Sequence, residues 1–184
     1  MINHIDVGTV LRRTVCDLYS DLVTRPTGAA VRTGIEQQLE EIGDRTLTVI
    51  DFSRVGLLDF SCADEIVAKL LLRARLAPVQ RDAYFVFRGV SESHLEAIEA
   101  VLSRHGLALV ALCDDGAIAL VGELNHAERR AWEALSRLRR AQPLEVAREA
   151  QLEPEMASTV LDGLWKRRLV MRLDDWYLAL GVPA

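Results

Sequence analysis

The chain has 184 residues, of which 50% are hydrophobic and 27% are charged. This composition is typical of a globular protein with one large domain or two small ones. No apolar run reaches the roughly 18 residues that a membrane span needs, and the first residues lack the features of a signal peptide. Three scattered cysteines, Cys16, Cys62 and Cys113, indicate reduced thiols. We therefore expect a cytoplasmic protein that has no membrane partner.

The net charge of −5 at pH 7 is unevenly distributed along the chain. Residues 1–125 carry 12 basic and 18 acidic side chains, whereas residues 126–184 carry 10 basic and 9 acidic side chains. The second part is less acidic than the first, but it is not a basic domain. Bulk electrostatics therefore do not favour a nucleic-acid partner.

The first two thirds of the chain alternate between helical and strand patterns. Apolar residues recur at helical spacing or form short continuous runs, and Gly106 is typical of a helix end. Alternating helices and strands imply an α/β fold around a mixed sheet. The predicted elements are a helix over about 8–22, a second helix after a break at residues 25–28, a strand over 47–52, a helix over about 61–76, a strand over 84–87, a helix over 91–104, and strands over 107–112 and 117–121.

One motif in this region has a distinctive order. A buried strand ends in Asp51-Phe52-Ser53, and a helix then begins at Asp59-Phe60-Ser61-Cys62. This resembles the STAS domain of anti-sigma factor antagonists, in which the strand ends in Asp-Leu-Ser and the helix begins with Asp-Ser-Ser-Gly. The run from Phe60 to Glu65 also resembles a STAS-like family of uncharacterised bacterial proteins. The resemblance covers about residues 15–123 and implies a STAS-like domain over residues 1–124.

The resemblance implies a phosphorylation switch at Ser61, with Asp51, Asp59, Ser61 and Asp64 on the partner surface. A phosphate at a helix N-terminus is stabilised by free N–H groups and by the helix dipole, and it adds about −1.5 to −2 of charge. The alternative is structural. In that interpretation Ser61 caps the helix, Asp51 binds a loop N–H and Asp59 shapes the turn.

Other chemistry-bearing residues have weaker patterns. Arg25 lies in a predicted loop and is a candidate for binding an anion or a partner, or for an ion pair with Asp51 or Asp59. Cys62 is expected to be buried and unreactive, because acidic neighbours oppose a thiolate. The four histidines lack metal-ligand spacing. We therefore expect no catalytic residues, no metal and no cofactor, and hence no enzyme.

The pattern of predicted helices and strands changes near residue 125. It shows helices over 126–140, 143–150 and 154–167, and strands over 168–173 and 176–180, with Trp132, Trp165 and Trp176 expected in the core. This order resembles a winged helix-turn-helix. The resemblance implies a small C-terminal winged-helix domain over residues 125–184.

A winged helix often binds DNA, but the charges here oppose phosphate. Side chains that would face DNA are Ser158, Thr159, Lys166 and Arg167. Acidic residues surround them on the predicted recognition helix, and Asp174-Asp175 occupies the tip of the wing. A separate basic cluster, formed by Arg137, Arg139 and Arg140, is a candidate for binding an anion or a partner protein.

We therefore expect a bacterial regulatory adaptor whose STAS-like domain binds a protein, with the winged helix as an output or dimerisation module. The resemblance implies a serine kinase or an anti-sigma factor as the partner, and we expect a homo-oligomer. One alternative is a DNA-binding transcription regulator with a STAS-like sensor domain. A third is a structural subunit of a larger assembly.

Overall fold

The computed structural model describes residues 2–43, 46–76, 83–113 and 115–181. The chain divides into two compact units, Met1–Glu123 and Leu124–Ala184. None of the helices in the described ranges combines the length and the apolar character that a membrane span requires. The first unit contains, in chain order, β1 (Ile2–Asp6), α1 (Val7–Thr14), α2 (Arg25–Ile42), β2 (Thr46–Asp51), α3 (residues 60–76), β3 (Ala83–Arg88), α4 (Glu92–His105), β4 (Ala108–Leu112) and β5 (Ile118–Gly122).

These strands form one sheet in the order β1-β2-β3-β4-β5. The first four strands are parallel, and β5 runs antiparallel to β4. The predicted mixed α/β architecture is therefore confirmed for this unit. Because the parallel strands follow one another in sequence order, right-handed crossovers place their connecting helices on the same face of the sheet.

The main core lies between that face of the sheet and the helices. Ile50 and Phe87 project from neighbouring strands into a cluster with Val31, Ile66 and Ile98 of the helices, and all five are fully or almost fully buried. The apolar run of β2 is buried on both faces, as its continuous pattern predicts. Burial of these side chains is the main source of stability of the unit.

The first part of the chain differs from the predicted helix over 8–22. The helix α1 ends at Thr14, and it follows the strand β1, which the pattern missed. Leu18, which lies within the predicted helix, is 91% exposed. The segment 15–24 leaves the helical path because its backbone hydrogen-bonds to residues 56–59 instead. These hydrogen-bond partners are distant in the sequence, so helical periodicity could not reveal them.

One further local prediction is corrected. Arg25 and Pro26 begin α2 rather than interrupt a pattern, since proline suits the first turn of a helix. After β2, residues 56–58 form no strand, and Leu58 makes only an isolated bridge with Leu22.

The second unit contains three helices and a three-stranded antiparallel sheet in its described residues. The sheet order is β6-β8-β7. Trp132 is buried, and its indole N–H donates to the carbonyl of Leu169 across 3.3 Å. The elements are α5 (His126–Leu138), β6 (Arg140–Ala141), α6 (Pro143–Ala150), α7 (Pro154–Lys166), β7 (Val170–Leu173) and β8 (Trp176–Ala179).

The first helix of this unit is shorter than its predicted range of 126–140. Arg139 takes a positive φ of 65°, and the next two residues join the sheet as β6. Leu138 is 39% exposed because the helix ends there. Two-residue strands carry too little periodicity to be recognised in a sequence.

Candidate functional site

Two loops of the first unit run side by side where the parallel strands end. One loop comprises residues 15–24, which precede α2, and the other comprises residues 52–59, which precede α3. Their backbones are joined from Leu22 N–H to the carbonyl of Leu57 across 2.7 Å and from Asp59 N–H to the carbonyl of Leu22 across 2.9 Å. We call these segments the joined loops.

The joined loops expose large apolar side chains. Leu22 and Leu58 point inward and are buried, so their neighbours along each extended segment point outward. Phe60 begins α3 immediately after the second loop, and Arg104 lies 5.8 Å above its ring. The exposed apolar patch consists of Leu18, Tyr19, Val23, Leu57 and Phe60, which are between 38% and 91% exposed.

Asp59 connects the joined loops to the start of α3. Its Oδ1 accepts hydrogen bonds from the Cys62 amide at 2.7 Å and from the Ser61 hydroxyl at 2.9 Å. Its Oδ2 accepts from the Thr24 amide at 3.0 Å. Burial alone would raise the pKa of Asp59, but these hydrogen bonds outweigh it and lower that pKa below its ordinary value.

The helix cap is therefore Asp59, and the expected capping role of Ser61 is wrong. Ser61 lies inside the first turn, is partly buried and donates its hydroxyl hydrogen to the capping carboxylate. An aspartate one position before the first helical residue has the same capping chemistry as serine. The sequence pattern alone could not choose between the two neighbours.

Thr24 has a backbone conformation that is unusual for a β-branched residue. Its φ is 75°, in a region that disfavours a branched side chain. Three contacts hold it: the Asp59 carboxylate accepts from its N–H, and its carbonyl accepts from the Gly28 amide at 3.1 Å and from the Cys62 thiol at 3.0 Å. The end of the first loop is therefore fixed against both helices.

Asp59→Asn tests whether this carboxylate holds the first loop. An amide side chain can keep the bonds of Oδ1, but it then turns N–H groups toward the Thr24 amide. The loss of one charge-assisted hydrogen bond of roughly 1.5–3 kcal/mol should accelerate hydrogen exchange at the Leu22 and Thr24 amides about tenfold or more. Exchange is measured residue by residue by NMR.

Asp51→Asn is the matched control for that substitution. Asp51 accepts from the Ser53 amide at 2.8 Å and from the Ser53 hydroxyl at 2.5 Å, so it organises its own turn. Exchange at Thr24 should stay at the wild-type rate in this variant. Equal protection of Thr24 in the Asp59→Asn variant and the wild type would contradict the role of Asp59.

Cys62 is fully buried at the contact between α2 and α3, as expected. Burial, together with the nearby Asp59 carboxylate, raises the pKa of its thiol to about 12. The thiol is therefore protonated at neutral pH, and it donates to the Thr24 carbonyl. A thiol in this state is a poor nucleophile.

The charges on α2 and α3 form a second arrangement that the sequence did not reveal. Arg25 was a candidate for binding an anion or a partner, or for an ion pair with Asp51 or Asp59. Its Nη1 lies instead 2.9 Å from Asp64 and 2.7 Å from Glu65. Both carboxylates are buried, with Asp64 8% and Glu65 3% exposed. The charge cluster consists of Arg25, Arg32, Asp64, Glu65, Lys69 and His105.

A π-helical segment within α3 carries both acids. The helix consists of an α-helical turn Phe60–Ala63, the π segment Asp64–Ala68 and an α-helical part Lys69–Leu76. The π segment packs against both α2 and α4, and all five of its residues are buried. Such insertions are rare and occur often at functional sites.

The charge cluster links three helices and keeps its acids ionised. Burial would raise the pKa of Asp64, but hydrogen bonds from His105 and Arg25 outweigh it and lower that pKa. For Glu65, burial is likewise outweighed by hydrogen bonds from Lys69 and Arg25, and its pKa is lowered. A signal for the cluster existed in the sequence, since two adjacent acids interrupt the otherwise apolar start of a helix.

The second unit places the candidate DNA-facing residues on α7 and just after it. Ser158 and Thr159 are exposed, and the Thr159 hydroxyl donates to the carbonyl of Glu155. Lys166 Nζ lies 2.6 Å from Asp162. The mostly buried Arg167 lies 3.1 Å from Glu128, so an acid within the unit neutralises each cation.

The basic cluster at the end of α5 is exposed. Arg137 Nε lies 2.9 Å from Glu149, and Arg140 stacks 4.2 Å above the ring of Trp176. Arg139 is exposed at the helix end. The three arginines therefore differ in how their charges are balanced, and they do not converge on one described acid.

In the described part of the chain, no group of three or more His, Cys, Asp or Glu side chains is placed to hold a metal ion. His94 is instead a structural residue. Its Nδ1 accepts from the Ser91 amide, and its Nε2 faces the carbonyl of Gly56 at 2.7 Å and therefore donates. This contact fixes the second of the joined loops to α4.

The joined loops, the exposed apolar patch and the charge cluster together form the candidate site. Asp59, Ser61 and Asp64 lie on or beside it, whereas Asp51 is held in its own turn at the end of β2. The sequence did not single out the patch residues, because exposure depends on pairing between distant loops. No protein-family model matches the chain, and a search of curated proteins gives no match either.

Proposed function

We propose that the chain is a bacterial, cytoplasmic regulatory adaptor that acts by binding another protein. Its first unit is a STAS-like domain that binds the partner through the joined loops and the start of α3. Its second unit is a winged helix that serves as an output or dimerisation module. The observation that carries the proposal is the exposed apolar patch beside Ser61.

The patch supports protein binding for a physical reason. Contiguous exposed apolar side chains are unfavourable in water, and patches of a few hundred Å² on soluble proteins are often interaction sites. Val23, Leu57 and Phe60 adjoin backbone that is fixed through Asp59 and the Leu22–Leu58 bridge. A pre-organised surface of this kind loses little entropy when it binds.

Ser61 is the proposed regulatory residue. Asp64 and Glu65 would repel a nearby phosphate if they were unpaired, but Arg25, Lys69 and His105 balance their charge. A phosphate on Ser61 would stand beside Asp59, whose carboxylate already receives the Ser61 hydroxyl. Repulsion between the two anions would weaken the hold of Asp59 on the first loop. A serine kinase or an anti-sigma factor is the proposed class of partner.

Charge distribution argues for a protein partner of the second unit over DNA. The cations expected to face DNA are paired with acids within the unit, and Asp174 and Asp175 lie exposed at the turn between β7 and β8. Affinity for DNA comes largely from unpaired cations that contact phosphate. The exposed Arg139 and Arg140 remain the feature that favours a DNA-binding regulator.

Partner capture tests the proposal. The full chain is immobilised and exposed to lysate of its source organism, and retained proteins are quantified by mass spectrometry. Leu57→Asp and Phe60→Asp place a charge within the exposed apolar patch, and we expect each to reduce retention of the specific partner at least tenfold. Burying one large apolar side chain against the partner contributes roughly 1.5–3 kcal/mol to the free energy of binding.

Leu76→Asp is the matched control, because Leu76 is 84% exposed at the opposite end of α3. It should retain the partner at the wild-type level. Equal retention by all four proteins would contradict the proposal. A gel shift on random duplex DNA at several salt concentrations tests the alternative of a DNA-binding regulator. Such a regulator would bind the DNA at low salt and release it at high salt. A large, defined assembly in light scattering would instead indicate a structural subunit.

A further inference from the structure

A cavity of about 320 Å³ opens beside the first of the joined loops. Its size is at the lower end of the roughly 300–1,000 Å³ typical of ligand pockets. Leu18, Tyr19 and Val23 provide apolar walls, and Ser20, Asp21 and Thr27 are among its polar lining residues. We propose that this cavity binds an arginine side chain of the protein partner, an inference that rests on the proposed function.

Asp21 supplies the charge that selects a cation. Its Oδ1 accepts from the Leu57 amide at 2.9 Å and from the Ser20 hydroxyl at 3.4 Å, so the side chain is held in place. No hydrogen bond from a described residue reaches its Oδ2.

No described Lys or Arg lines this cavity. Arg25 follows the lining residue Thr24 in the sequence, but its guanidinium is held by Asp64 and Glu65. The carboxylate of Asp21 therefore lacks a cationic neighbour within the lining. A partner that brings its own cation would complete the site.

The positive N-terminal end of the α2 dipole disfavours a cation in the cavity and must be compared with the charge of Asp21. A helix N-terminus is equivalent to about half a positive charge, and Thr24 and Thr27 lie at that terminus. The full negative charge of Asp21 exceeds this partial charge. Among the lining residues, the balance of charge therefore favours a cation.

The apolar walls favour arginine over lysine. A guanidinium group is planar, is less strongly hydrated than an ammonium and stacks on aromatic rings. Tyr19 offers a ring that is 51% exposed, and Leu18 and Val23 offer surface for the aliphatic stem. Arginine can thus use the ring, the walls and the carboxylate together.

The test uses Nα-acetyl-arginine amide as the probe, with its neutral isostere Nα-acetyl-citrulline amide. Binding to the full chain is followed by NMR shifts of the backbone amides of residues 18–27. We expect a Kd of about 1 mM for the arginine probe and binding at least tenfold weaker for citrulline. Asp21→Asn should weaken arginine binding about tenfold, because the amide can still accept from Leu57 but lacks the charge.

Asp51→Asn is the control and should bind the arginine probe as the wild type does. Tyr19→Leu provides a second variant in an exposed loop position, and it should weaken binding several-fold without affecting the fold. Equal binding of arginine and citrulline, or equal binding of Nα-acetyl-lysine amide, would overturn the inference. If partner capture still depends on Leu57 and Phe60, the proposed function survives that failure. If the probe binds but capture is independent of the patch, only the cavity assignment survives.

Discussion

Replacing Glu65 with glutamine is expected to lower the free energy of unfolding of the first unit by about 2–4 kcal/mol. The buried carboxylate lies 2.7 Å from Arg25, 2.5 Å from Lys69 and 3.4 Å from Arg32. Removing one partner of a buried ion pair typically costs roughly 3–5 kcal/mol. We expect a smaller loss here because the three cations are partly exposed and can be rehydrated. Urea denaturation followed by circular dichroism measures the change.

Glu40→Gln is the matched control for that substitution. Glu40 lies in the same helix layer and pairs with Arg73 at 3.0 Å, but its side chain is 69% exposed. Exposed ion pairs contribute about 0–1 kcal/mol, so the midpoint of denaturation should move little. If both variants lost the same stability, burial of the charge cluster would not be the cause.

Glu65→Gln should also change how the free energy of unfolding of the first unit depends on pH. The folded-state pKa values of Asp64 and Glu65 are lowered, so the stability that they contribute is fully present above their unfolded values of about 4. It is lost as the pH falls through the folded-state values. Glu65→Gln removes one of these groups, so its unfolding free energy should fall less steeply in acid than that of the wild type.

Gly28→Ala is expected to destabilise the first unit by about 2 kcal/mol. A Cβ atom at this position would lie 2.9 Å from the Cα of Cys62 and 3.1 Å from the Cβ of Glu65. Because these atoms belong to α3 itself, α2 must move away from it, and overpacking of this kind costs roughly 1–3 kcal/mol or more. The gain of roughly 1 kcal/mol from replacing glycine by alanine in a helix offsets only part of that cost.

Gly163→Ala provides a control with the opposite sign. Gly163 lies in α7, and a Cβ there would meet no other atom within 4 Å. The substitution should therefore stabilise the second unit by about 0.5–1 kcal/mol. Thermal unfolding monitored by calorimetry measures both variants, and stabilisation by Gly28→Ala would show that α2 and α3 do not require the close approach.

Local patterns in the sequence predicted those helices and strands whose formation depends mainly on neighbouring residues. The strands β2, β3 and β4 are continuous apolar runs, and α4 is capped by Ser91 at its start and by Gly106, in the left-handed conformation, at its end. Pro143 likewise begins α6, as expected from its fixed φ. Such signals need only a few neighbouring residues, so they can be recognised without the fold.

The tertiary structure decided the features of the candidate site. Asp59 bonds to Thr24 across 35 positions in the sequence, Arg25 bonds to Glu65 across 40, and His105 bonds to Asp64 across 41. Local sequence carries no information about such partners, which is why residues 15–22 were predicted as part of a helix and Ser61 was a candidate for the cap. The sequence by itself determined the α/β character of the first unit, because the spacing of hydrophobic residues and the glycines and prolines that end helices and strands are local signals. Packing of α2, α3 and the joined loops determined which charges are buried and which apolar side chains face water.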